Sequence, residues 1–108
     1  MSRKNSIAPI VMTSIDSNDI DIGEYRIVNE DGFDEACYMI RITNRTKDDV
    51  FVSYDGVIDH DYIPHDTYIQ IEPPMMIDKS NFRKLTKVYV RGTRSAGFIY
   101  VAGYFRKV

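Results

Sequence analysis

A side-chain period of two runs through most of this chain, and it constrains the fold more than any other feature. Tyr38, Ile40 and Ile42 alternate with Met39, Arg41 and Thr43; Val50, Val52 and Tyr54 alternate with Phe51 and Ser53. Residues 67–72 alternate again, with Ile69 and Ile71 on one side. Successive side chains of a strand point to opposite faces, so this pattern builds strands with one face in a core. Residues 87–91 and 98–105 read as a C-terminal pair around the loop 92–97, and 10–15 and 24–28 as two further strands. Turn chemistry separates the runs: the polar stretch 44–49, Asp55-Gly56, the acidic stretch 29–35 and Pro73-Pro74. The one helical expectation is a single turn at 80–85, which Ser80 can cap. About seven short antiparallel strands predict an all-β fold, a β-sandwich or small barrel.

The 108 residues suit one domain over 1–108, with 1–15 expected as an arm or strand that docks on a neighbouring subunit. Apolar residues at 44% and charged residues at 28% can form a folded core. No apolar run reaches the roughly 20 residues of a membrane helix. The basic start Met-Ser-Arg-Lys-Asn is not followed by the long apolar core of a signal peptide, so the expected compartment is a cytoplasm. Cys37 is the single cysteine, cannot form an internal disulfide, and reads as a small apolar strand residue.

Charge is divided along the chain. Residues 5–78 hold all 16 acids and only Arg26, Arg41, Arg45 and Lys47 as bases; residues 79–108 hold eight bases and no acid. A net charge of −2 therefore conceals an acidic body joined to a basic, tyrosine-rich end. Such an end meets a phosphate backbone or an acidic protein face. Lys84, Lys87, Arg91 and Arg94, interleaved with Tyr89 and Phe98, are the residue types that grip phosphates and stack on bases. The sequence pI of about 5.6 favours a protein contact instead, with DNA as a secondary partner. Both faces of the last strand are apolar, with Ile99 and Val101 on the core side and Tyr100 and Tyr104 on the other. Lys87, Arg91, Arg94, Tyr100 and Tyr104 are thus the candidate subunit-contact residues.

The densest polar cluster is 55–66, with Asp55, Asp59, His60, Asp61, His65 and Asp66. Its ligand types suit a divalent metal, but the spacing fits no zinc or calcium loop, and a turn capped by Asp side chains accounts for it. Ser53 lies near His60, yet there is no Gly-x-Ser-x-Gly elbow, phosphate loop or dinucleotide fingerprint. The expectation is a non-enzyme without metal or cofactor.

The segments Tyr38-Met-Ile-Arg-Ile-Thr-Asn44, Asp49-Val-Phe-Val-Ser-Tyr-Asp-Gly56 with Asp59-His-Asp61, Thr86-Lys-Val-Tyr-Val-Arg-Gly-Thr93 and Gly97-Phe-Ile-Tyr-Val-Ala-Gly-Tyr104 resemble a group of small tailed-phage virion structural proteins. The resemblance covers the last two thirds of the chain, rests on strand and turn motifs, and transfers no catalytic residue. It implies an all-β subunit of a phage particle, assembled in the host cytoplasm beside portal, neck, tail or capsid proteins. A ring-forming neck or head–tail connector component is the first expectation and a capsid decoration protein the second. From a different class, a carbohydrate- or receptor-binding module would use the tyrosines together with the Asp55–Asp61 loop.

Overall fold

A computed structural model describes residues 6–33, 37, 39–72 and 86–107. Among the described residues nine strands follow in chain order: β1 Ser6–Pro9, β2 Thr13–Asp16, β3 Arg26–Ile27, β4 Met39–Thr46, β5 Val50–Ser53, β6 Asp61–Ile63, β7 Thr67–Ile71, β8 Tyr89–Gly92 and β9 Gly97–Lys107. The larger sheet runs β1-β9-β4-β7, with β2 also on β9; the smaller runs β3-β8-β5-β6. All pairings are antiparallel. With β1 and β2 taken as two pieces of one edge strand, the chain visits the two sheets in the order of an eight-stranded jelly roll. Of the two all-β architectures anticipated, the sandwich is the one formed.

The alternation explains the core. Ile40 and Ile42 of β4 and Ile99 and Val101 of β9 point inward from one sheet, and Val50 and Val52 of β5 and Val90 of β8 from the other. Ile20, Val28, Phe33, Cys37, Ile63 and Val88 close the ends of this core. Each such side chain gains roughly 1.5–3 kcal/mol from burial.

Several boundaries differ from the sequence reading. Residues 44–46, expected in a turn, continue β4, because Asn44 is a buried strand residue that bonds both neighbouring connections. Its Nδ2 donates to the carbonyls of Asp48 at 2.9 Å and Ile63 at 3.0 Å, and its Oδ1 accepts from Thr46 N at 3.0 Å and Thr46 Oγ1 at 2.7 Å. β6 is an addition inside the loop 55–66, created by pairing Val50 with Ile63 and Val52 with Asp61. The strand expected over 10–15 is interrupted: β1 ends at Pro9, β2 starts at Thr13, and the register on β9 shifts by one residue between them. Both pieces of the expected arm thus lie on the last strand of their own chain. The helical turn at 80–85 and Pro73-Pro74 lie outside the described residues.

Candidate functional site

The polar cluster after β5 is built by the turn itself. Gly56 adopts a φ of 76°, a left-handed conformation that glycine takes without strain. The Asp55 Oδ1 accepts from Val57 N at 2.8 Å, Ser53 Oγ at 2.9 Å and Ile58 N at 3.2 Å. These donors, Val57 first, hold the Asp55 carboxyl below its ordinary pKa. His60 Nδ1 accepts from Tyr54 N at 3.0 Å and is therefore the unprotonated ring nitrogen there. The Tyr54 hydroxyl donates to Asp61 at 2.7 Å; burial, and then this carboxylate, push its pKa up. Ser53 and His60 thus bond to other groups rather than to each other. No group of three or more His, Cys, Asp or Glu placed to hold a metal occurs among the described residues.

Asp59 reaches furthest. It lies on the outer side of the smaller sheet, where Arg91 Nε and Nη2 donate to its two oxygens at 2.9 and 2.5 Å and the Tyr25 hydroxyl donates at 2.6 Å. Arg91 first, and Tyr25 second, keep the Asp59 carboxyl below its ordinary pKa, and Asp59 raises that of Arg91. The Arg91 guanidinium also lies 4.5 Å from the centre of the Phe51 ring, which tilts against Tyr62 at 5.3 Å. A Cβ on Gly56 would come within 3.2 Å of the Tyr89 ring, so the loop rests directly on the sheet. Residues 55–59 thus form a flap over Tyr89 and Arg91, latched by one bidentate ion pair. The Tyr62 hydroxyl donates to Asp49, which also accepts from His65 N at 2.9 Å; Tyr62 first, then His65, lower the Asp49 pKa.

The basic residues do a second job. Three successive carbonyls of the loop between β2 and β3 accept hydrogen bonds from the β8–β9 region. Ile20 O takes Arg94 Nε at 2.9 Å, Asp21 O takes Gly92 N at 3.0 Å, and Ile22 O takes Arg91 Nη1 at 2.9 Å. Ile20 is buried beneath, and Ile22 stands half exposed above. Ser95 closes the same end by accepting from Lys47 N at 3.1 Å and donating its N–H to Ser17 Oγ at 2.7 Å.

The sequence candidates therefore do not form one patch. Arg91 and Asp59, read as separate basic and acidic sites, meet each other. Arg94 is tied to Ile20, and Lys87 lies just before β8, half-buried. Tyr100 and Tyr104 are on the outer side of the other sheet, away from the Asp55–Asp61 loop, whereas Tyr25, Tyr54 and Tyr89 lie beside that loop.

That other face is an aromatic surface. β9 turns Phe98, Tyr100 and Tyr104 outward, and Tyr68 of β7 is 61% exposed. Thr43 pairs with both Tyr68 and Tyr100, and Arg41 is opposite the small Ala102, in the gap between aromatic side chains. The Arg41 guanidinium is 6.0 Å from the Tyr68 ring centre and 5.9 Å from that of Tyr104. Among the described residues neither Arg41 nor Arg45 forms an ion pair. Sequence reading counted Arg41 with the acidic body; the strand alternation that places it beside outward tyrosines was visible, but the β4–β9 pairing was not. A groove of about 710 Å³ opens at one sandwich edge, lined by Ile10, Val11, Ile15, Ile27, Asp19 and Glu30 among others.

No protein-family model and no curated protein matches the sequence. The fold is similar to a chain from a structure of Bacillus endospore appendages, described as a family of disulfide-linked pili, with a TM-score of 0.51 and 12% identity over 100% of this chain and 95% of that one. A crystal structure of PirA aligns over 97% of this chain and 96% of that one, at 13% identity and a TM-score of 0.43. The first likeness establishes a shared sandwich fold, and the second carries no weight.

Proposed function

We propose that the chain is a non-catalytic structural subunit that assembles with copies of itself, as a ring-forming neck or head–tail connector component of a phage particle. The observation that carries the reading is how the surface is used. The carboxylates and histidines of 49–65 hold loops in place, whereas an aromatic sheet face is left open among the described residues. Tyrosine and arginine are enriched where protein surfaces meet. The strand and turn motifs of 38–56 and 86–104 supply the phage setting, and jelly rolls serve in viral shells. The similar appendage protein belongs to a polymer, which supports self-assembly, but its disulfide linkage does not carry over. Cys37 is the single cysteine here and is wholly buried, so a polymer of this chain is held by noncovalent contacts.

Sedimentation velocity and electron microscopy of the purified chain test this. Closed rings of one copy number, alone or with portal and tail proteins, are expected. A monomer at every concentration, with and without those proteins, overturns the reading. Copy number in the particle separates it from a decoration protein, which follows the capsid lattice. The exposed tyrosines also suit stacking on sugar rings; retention by a glycan array as a monomer would favour that second reading.

A further inference from the structure

Among the charges that form no ion pair among the described residues, two sets opposite in sign lie on two different surfaces. One is the face of the larger sheet, where Arg41 and Arg45 have no carboxylate partner among the described residues and are interleaved with Tyr68, Tyr100, Tyr104 and Phe98. The other is the loop between β2 and β3, where Asp19 and Asp21 form no ion pair among the described residues and precede the half-exposed Ile22. Hydrogen bonds from Arg94, Gly92 and Arg91 to carbonyls 20, 21 and 22 hold this loop in a single shape. A loop fixed before binding loses little entropy on docking.

We infer that the acidic loop of one copy docks on the Arg41–tyrosine face of the next. The inference rests on the self-assembly reading and names its contact. Carboxylates meet guanidinium groups that have no carboxylate partner among the described residues, and Ile22 meets the rings. The unpaired charges are opposite in sign, which steers encounter and fixes orientation. The two patches are different surfaces, so each copy keeps one of each after the first contact, and the contact propagates through a ring or filament.

The test uses the full chain in three forms: wild type, Arg41→Glu, and Asp19→Arg with Asp21→Arg. Wild type is expected to associate beyond the dimer, less so at high salt because the contact is ionic. Each variant alone should associate at least about tenfold more weakly, with an unchanged circular dichroism spectrum. Mixing the two variants should restore association, because one brings an intact loop and the other an intact face. Restoration is beyond the reach of a variant that has merely lost its fold. If Arg41→Glu associates like wild type, the contact is elsewhere and the self-assembly reading stands. If both variants are folded monomers and stay so when mixed, the two patches do not meet. If wild type never associates, the self-assembly reading falls and takes this contact with it. A wild-type monomer that binds single-stranded oligonucleotides through Arg41 would overturn the inference in favour of a nucleic-acid face.

Discussion

The two outer faces of the sandwich carry similar side chains and end in opposite states. The smaller sheet turns Phe51, Tyr62, Tyr89 and Arg91 outward, and the larger turns Tyr68, Tyr100, Tyr104 and Arg41 outward. Arg91 has a ring 4.5 Å away, two carboxylate oxygens and a carbonyl; Arg41 has two rings about 6 Å away and no carboxylate among the described residues. The difference comes from one connection. The stretch 54–60 between β5 and β6 is long enough to fold back over its sheet, and it places Asp59 on Arg91. An arginine among aromatic rings is thus structural where the chain supplies the counter-charge and remains available where it does not.

The largest effect on this contrast is expected from Gly97→Ala. Gly97 begins β9 with a φ of 110°, and a Cβ there would lie 2.0 Å from the Arg45 carbonyl oxygen. The substitution should cost about 3 kcal/mol or more in a denaturant titration, because backbone strain and a clash between backbones coincide. It would disrupt the open face from its own strand and leave the flap untouched. Next in size is Asp59→Ala, which releases the latch. The melting temperature should fall, and limited proteolysis should begin within 54–60; a flap as protected as in wild type would remove the distinction between the faces.

Acid should act on the same side of the molecule. Asp49, Asp55 and Asp59 all have folded pKa values below the ordinary carboxylate value, so their stabilisation is complete above the unfolded value near 4 and is lost as pH falls through the folded ones. A melting temperature followed downward from pH 5 should drop, and the drop should shrink in Asp59→Ala. Tyr54 has its pKa raised by burial, so its contribution is present below about pH 10 and is lost only as pH climbs through the raised value. The smallest effect is expected from Tyr68→Ser, within about 0.5 kcal/mol of wild type, since the ring is mostly in solvent. A loss as large as that of Asp59→Ala would mean that the open face also holds the fold together.

What could be read in advance divides along physical lines. The long strands β4 and β9 were legible because Ile40 and Ile42, or Ile99 and Val101, repeat at the period of a half-buried strand. β6 was not, because three residues among Asp, His and Pro owe their strand state to pairing with β5 rather than to their own pattern. Asn44 looked like a turn residue, and its burial follows from two connections that converge on it. Charge counting found the acid-free end, but the Arg91–Asp59 pair spans 32 positions and arises only when the flap closes. The same limit hid Arg41, whose neighbours come from β7 and β9.

The buried Cys37 has a use apart from packing. A Cβ on Gly103 would lie 2.8 Å from its sulfur, so the thiol is lodged against the middle of β9. Wholly buried, it meets a thiol reagent when its surroundings open. With no other cysteine to compete, the labelling rate of the native protein reports how often that opening is populated, and a subunit locked into an assembly should label more slowly than the same subunit released from it.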